Sequence, residues 1–258
     1  MIRPIDLNAD MGESFGAWRM GQDEELLRHV SSANIACGFH AGDPEVMRRT
    51  VAGAVAHGVA IGAHPSLPDL AGFGRREMRL TPGEAYALTL YQTGALAAFA
   101  QAAGRRLGHV KPHGALYNMA AREMPLAEAI AQAVRDFDPR LVLVGLAGSA
   151  LPRAGLALGL RVAHEAFCDR RYEPDGALTP RRVAGAVIGD VEAAIRQALD
   201  IVLHGEVTAR DGARIALAAD TLCIHGDRAD AGDFARRLRT ALEAAGVAVV
   251  PFASGDRG

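Results

Sequence analysis

The chain runs to 258 residues, half of them apolar and 22% charged, with a formal net charge of −2 at pH 7. That length fits a single α/β domain with a large buried core, and the near-neutral charge excludes a surface built chiefly for nucleic acid or anionic membrane. No apolar stretch is long enough to span a bilayer.

The first strand-like run covers residues 5–7, leaving no room for a secretion signal ahead of it, so a cytoplasmic protein is expected. Asp6, Asn8 and Asp10 alternate along this run and face one way if it is a strand. Polar side chains aimed together from a buried strand are costly unless paired or used. Asp6 and Asn8 suit hydrogen bonds to neighbours; Asp10 and Glu13, nearer the strand's end, suit proton transfer. The run 33–37 leads to Gly38, His40, Gly42 and Asp43, with Asp43 as N-cap and Pro44 as first residue of a helix stopped by Gly58. The run 59–63 leads to His64, then to a glycine-rich loop, Gly72-Phe73-Gly74-Arg75-Arg76, whose arginines suit an anion although the pattern is not a Walker A. Thr81-Pro82-Gly83-Glu84 reads as a capping box opening the next helix.

The run 107–111 ends on Lys111, the only lysine against 27 arginines. Lysine is a compact charge whose pKa responds to burial, whereas arginine is a planar fork, so a solitary lysine points to a chemical need. Lys111 and His113 flank Pro112, placing an ammonium that can hold an oxyanion beside an imidazole that can move a proton. Asparagine is nearly as rare: Asn8, Asn34 and Asn118 only. The runs 141–145 and 160–163 follow, the second leading to Glu165, Asp169, Arg170 and Arg171; an arginine there suits a carboxylate or phosphate. A helical stretch is expected from Thr179-Pro180 to about residue 203, then a β-hairpin across 206–216 with an Asp211-Gly212 turn. The run 221–224 leads to His225 and Asp227, a last helix spans 230–245, and an eighth run covers 247–250.

His29, His57 and His204 fall on helices and His109 mid-strand, all read as structural. Cys37 and Cys223 read as buried thiols and Cys168 as a loop residue; three cysteines make no disulfide framework.

Near-continuous apolar strands separated by helices indicate a parallel sheet covered on both faces. The expected fold is α/β: one domain over residues 1–258, an irregular TIM-like barrel of seven or eight β/α units with the hairpin as decoration. An open doubly wound sheet is the alternative. In a barrel the loops after the strands share one face, which would bring these clusters together. No metal is expected, because Lys111 would compete with it in the same cleft; the set that could still converge on one is Asp10, His40 and His64.

The motifs Asp6-Leu7-Asn8-x-Asp10-x-Gly12-Glu13, residues 33–44, Gly62-Ala63-His64-Pro65-Ser66, residues 111–118, Glu165-Ala166-Phe167-x-Asp169-Arg170-x-Tyr172 and His225-Gly226-Asp227 together resemble the LamB/YcsF family over nearly the whole chain. Cys168 departs from the small residue expected at its position. The resemblance implies a barrel related to glycoside hydrolases and deacetylases. It also implies the A component of an ATP-dependent 5-oxoprolinase, working with B and C subunits. Such an enzyme opens 5-oxo-L-proline to L-glutamate with release of ADP and phosphate, Mg²⁺ accompanying the nucleotide. That chemistry suits Lys111 to oxyanion or phosphoryl charge and Asp10, Glu13 or His113 to proton transfer. Asn8, His40, His64, Arg75, Arg76, Asn118, Glu165, Arg170 and Asp227 are the candidate substrate contacts. The rival readings are a stand-alone metal-dependent hydrolase of amides or N-acetyl sugars and a non-catalytic substrate-binding subunit.

Overall fold

Along β1 (Asp6–Met11) polar Asp6, Asn8 and Asp10 alternate with Leu7, Ala9 and Met11, and nearly all six residues are buried. A strand buried on both sides must place one set against helices and the other inside a closed sheet. The computed structural model, which describes residues 4–224 and 230–252, shows this closure. Seven parallel strands form a barrel in the order β1, β2 (Ser32–Ala36), β3 (Ala60–His64), β4 (His109–Val110), β5 (Val142–Leu146), β6 (Arg161–Phe167) and β9 (Thr221–Ile224), which returns to β1. β1 sets the closure by pairing Asp10 with Asn34 on one side and Asn8 with Cys223 on the other. The expected barrel is the observed one; the open sheet is not.

Helices α1 (Asp23–Leu26), α2 (Pro44–His57), α3 (Pro82–Ala102), α4 (Gly114–Arg122), α5 (Met124–Phe137), α6 (Ala150–Ala157), α7 (Val191–His204) and α8 (Ala231–Ala244) surround the strands. Leu7, Ala9, Met11, Ile35, Ile61, Val110 and Leu222 belong to the large apolar cluster that strands and helices share. Asp43 caps α2 by accepting from the N–H groups of Glu45 and Val46, and Gly58 closes the helix in the left-handed region. Thr81 and Glu84 form the expected reciprocal capping box at α3. Among the described residues no helix is long and apolar enough to cross a membrane.

Two expectations are corrected. The helix from Thr179 does not form: Gly185 has a φ of 75°, and the backbone of this segment bonds elsewhere. Arg171 N–H donates to the Ala186 carbonyl and Ile188 N–H to that of Asp169, so the chain runs as a strap until Asp190 caps α7 by accepting from Ala193 N–H. The run 247–250 does not become an eighth strand. Both edges of β1 are already taken, so only Ile5, one residue ahead, is open to it: Ile5 N–H donates to Ala248 and Val250 N–H to the Ile5 carbonyl, each at 3.0 Å. Phe252 then packs against Val142, Val144 and Ala163, inside the lower end of the barrel. The hairpin forms as expected, as β7 (Glu206–Thr208) and β8 (Arg214–Ala216), with Asp211 and Gly212 between them.

Candidate active site at the barrel mouth

The barrel interior is a stack of polar layers. At the bottom Asp6 accepts hydrogen bonds from the hydroxyls of Ser31, Ser32 and Thr221. Burial pushes its carboxyl up from 3.8 to about 6, more than those bonds lower it. Above it, Asn34 Nδ2 donates to Asn8 Oδ1 at 2.7 Å and to Asp10 Oδ1 at 2.9 Å, while its Oδ1 contacts His109 Nε2 at 2.8 Å. His109 is thus the core histidine expected, bonded through Nε2, while its buried Nδ1 has no hydrogen-bond partner among the described residues. Its ring fills the space above Gly62, where any Cβ would collide with the imidazole.

Lys111 occupies the next layer, 2% exposed. Its Nζ reaches Glu165 Oε1 at 2.7 Å, Asp10 Oδ1 at 3.0 Å, Asn8 Oδ1 at 3.2 Å and Cys223 Sγ at 3.2 Å. Burial opposes the charge, but the carboxylates of Asp10 and Glu165 outweigh it and hold the ammonium pKa well above 10.5. Asp10 is likewise disfavoured by burial, yet His64 and Lys111 keep its carboxyl well below the usual range. The pair is therefore ionised, at a level of the barrel to which β1, β6, β9 and the residue just after β4 contribute. Cys223 stays a thiol, because burial raises it further than Lys111 lowers it. Cys37 is pushed up to about 12 by burial. All three cysteines are free and buried; Cys168 lies in the loop after β6, as expected.

Four further groups gather at the rim: Glu13, His40, His64 and His113 each place a ligand-type atom within 4.8 Å of the others. His64 Nδ1 meets the Lys111 carbonyl at 2.7 Å, and His113 Nε2 meets the Phe73 carbonyl at 3.0 Å. A carbonyl only accepts, so each of these nitrogens carries the proton and donates. Phe73 is the only non-glycine among the described residues with positive φ, 55°, and this backbone aims its carbonyl at His113. Gly74 follows at φ 62°; a Cβ there would press on Ser66, His40 and His113, so the loop lies directly on the cluster. His40 is fully buried, its ring stacked on His113 at 3.9 Å, with neither ring nitrogen in a hydrogen bond among the described residues. Burial, then the neighbouring imidazoles, hold His40 and His113 well below 6.5, so both are neutral.

A cavity of about 560 Å³ opens over these layers, lined by Asp10, His64, Arg75, Lys111, His113, Asn118 and Arg170 among the expected residues. Asn8, Glu13, His40 and Glu165 lie behind that lining, and Arg76 is elsewhere: its guanidinium is bound to Asp69, a tie within the loop. Asp227, with His225, lies outside the described residues. Arg170 is 6% exposed and donates to the Thr179 carbonyl, while its Nε makes no hydrogen bond among the described residues. Burial, then Arg181, lowers its pKa to about 10. The lining also includes Tyr117, Phe167, Arg181 and Arg182, which sequence reasoning alone does not single out. The helical pattern expected from Thr179 hides the arginine pair; Gly185 and Gly189 in the strap are the signal against that helix.

The fold and site define an α/β-barrel protein whose ionised lysine–carboxylate centre and imidazole cluster stand at the ends of the strands, where barrels place their chemistry. The chain belongs to the LamB/YcsF family, whose model matches residues 5–257. It is 65% identical over 249 residues to the 5-oxoprolinase A subunit from Methylococcus capsulatus, covering 96% of each chain. It is 64% identical over 245 residues to the protein of the same name from Bordetella pertussis, covering 95% of this chain and 97% of that one. The solved lactam utilization protein from Thermus thermophilus superposes with a TM-score of 0.91 at 54% identity, over 96% of this chain and 100% of that one. A GH113 beta-1,4-mannanase, 12% identical, shares the fold alone, with a TM-score of 0.50 over 94% of this chain and 99% of that one.

Proposed function

We propose that this chain is the A component of a 5-oxoprolinase that opens the lactam 5-oxo-L-proline to L-glutamate with hydrolysis of ATP, in complex with B and C subunits in the cytoplasm. The observation that carries this reading is the 65% identity, across 96% of both chains, to a relative of that name. The site supports it chemically. A lactam amide is a poor electrophile whose ring readily re-closes, and ATP, when bound, supplies the phosphoryl group that turns the lactam oxygen into part of a leaving group. The cationic side chains around the cavity suit phosphoryl and carboxylate oxygens, although the chain has no Walker A loop to cradle a nucleotide.

The chain's own groups divide the remaining work. Arg170 and Arg75, both in the cavity wall, hold the substrate carboxylate. Lys111 has already committed its three N–H donors to Asn8, Asp10 and Glu165, so it acts on developing negative charge through its field. Asp10, ionised, cannot donate a proton and anchors Lys111. Neutral His113, whose Nδ1 carries no proton, takes the proton of the attacking water. Release of ADP and glutamate by this chain alone, and after mixing with the B and C subunits, tests the proposal: turnover that needs ATP and the partners is expected. ATP-independent amide hydrolysis by the isolated chain would replace it with the metal-dependent hydrolase.

A further inference from the structure

We infer that Glu13, His40, His64 and His113 form a binding site for one divalent first-row transition ion. His64 donates through Nδ1 to the Lys111 carbonyl and His113 through Nε2 to the Phe73 carbonyl, so each imidazole turns its other nitrogen inward. Those two nitrogens, His64 Nε2 and His113 Nδ1, face each other at 3.0 Å. Two lone pairs at that distance repel unless a cation lies between them, either a proton on one nitrogen or a metal ion held by both. A ring N–H bound to a backbone carbonyl is also the arrangement that orients metal-bound histidines.

The spacing separates an ion from a proton. A tetrahedral ion with ligands at about 2.0–2.1 Å holds its donor atoms about 3.3–3.4 Å apart. The site has 3.0 Å between His64 and His113, 3.4 Å between His40 Nε2 and Glu13 Oε1, and 3.6 Å between His113 Nδ1 and Glu13 Oε1. A shared proton would need only the first pair. His40 must turn, because its ring is parallel to His113 within 8° and parallel stacked rings cannot both point in-plane at one ion. The turn breaks no hydrogen bond, since neither of its nitrogens has one among the described residues, but it does break the stacking on His113. Three imidazoles and one carboxylate suit zinc or its first-row neighbours over magnesium, which prefers oxygen.

Charge agrees. Lys111, the reason a metal is not expected from sequence, is neutralised by Asp10 and Glu165, and the Asp10 carboxylate stands between the ammonium and His64. The Glu13 carboxylate instead faces the imidazoles of His40 and His113. Compared with the set suggested by sequence, Glu13 and His113 join His40 and His64, and Asp10 stands behind, its Oδ2 3.3 Å from His64 Nε2. An ion bound there occupies the His113 nitrogen that otherwise takes the water proton, so metal-free and metal-loaded protein differ in that one step.

The inference concerns binding and is tested without substrate or ATP, so it stands or falls apart from the proposed reaction. The full-length chain, stripped with a chelator, is titrated with Zn²⁺ by calorimetry and its metal content measured after dialysis. One ion per chain is expected, with a rise in thermal midpoint from preferential binding to the folded state. Glu13→Gln and His113→Ala should each weaken binding at least about tenfold, while His57→Ala, on an exposed helical turn, should leave it unchanged. Cobalt-loaded wild-type protein gives a reading that needs no variant: a nitrogen-rich tetrahedral site is strongly coloured, water-ligated cobalt is pale. Substoichiometric uptake, affinity indifferent to both substitutions, or pale cobalt protein would overturn the inference and leave a bridging proton between His64 and His113.

Discussion

Lys111 and Asp6 show two ways in which a barrel interior treats a charge. Lys111 is as buried as an apolar residue, yet stays ionised because Asp10 and Glu165 accept from it inside a low-dielectric space. Arginine could not take its place: the guanidinium is larger, and its planar fork cannot direct three bonds at once to Asn8 and Asp10 on β1 and Glu165 on β6. Lys111→Arg is expected to lower kcat in the assembled enzyme by about 10²-fold or more, with a loss below about threefold sinking the role given to it. Circular dichroism of the variant separates this from misfolding. Asp6 has no cation and is driven toward its neutral form. Its folded-state pKa, about 6, lies above the 3.8 of the exposed group, so its contribution is complete below pH 3.8 and vanishes as the pH rises through 6. That difference corresponds to about 3 kcal/mol. Asp6→Asn should therefore be less stable than the parent at pH 4 and gain on it by about that amount by pH 7, as denaturant titrations at both pH values would show; parallel pH dependences of parent and variant would exclude the burial effect.

At the scale of elements, the strands succeed because one alternation serves two purposes. Odd members of β1 pack on helices while Asp6, Asn8 and Asp10 build the polar stack, so a register slip of one residue would bury charges among leucines. Gly62 in β3 is the position where this leaves no room, since His109 of β4 lies across it. Gly62→Ala should cost about 1–3 kcal/mol through overpacking and displace His109 from Asn34, visible as a lower thermal midpoint and a shifted His109 resonance. Asp43 is a simpler case. Its side chain accepts from Glu45 and Val46 at the start of α2 and from the Gly16 N–H at 2.7 Å, so it also fastens the loop after β1. Asp43→Ala should lose about 1–2 kcal/mol, the upper part of the usual range for an N-cap, measured by urea unfolding; an unchanged midpoint would show the cap to be redundant.

Over the whole molecule, the cavity is where distant segments meet. Arg75 comes from the loop after β3, Arg170 from the end of β6, and Arg181 and Arg182 from the strap that precedes α7. Arg181 and Arg182 are exposed, so replacing both with alanine should leave stability within about 0.5 kcal/mol. KM for the anionic substrate should rise about tenfold, the equivalent of one charge-assisted hydrogen bond, with kcat unchanged; an unaltered KM would remove the strap from the binding surface. Much of this architecture was legible in the sequence because its signals are local. Apolar runs announced all seven barrel strands, Asp43-Pro44 and the Thr81 box announced helix starts, and the solitary lysine pointed to the centre. Residues whose roles depend on partners far along the chain left no such trace. Arg76 and Arg75 are adjacent in sequence, yet one turns to Asp69 and the other to the cavity; Asn34 is tied to His109 across 75 positions. Nor can spacing say which imidazole nitrogen holds a proton, because the Phe73 and Lys111 carbonyls decide that only once the loop and strand are in place. Periodicity and turn chemistry, which act between near neighbours, thus determined the barrel and the segments at its mouth. Closure of the sheet determined which of those side chains meet, since contact between them depends on positions in space that no short stretch of chain encodes.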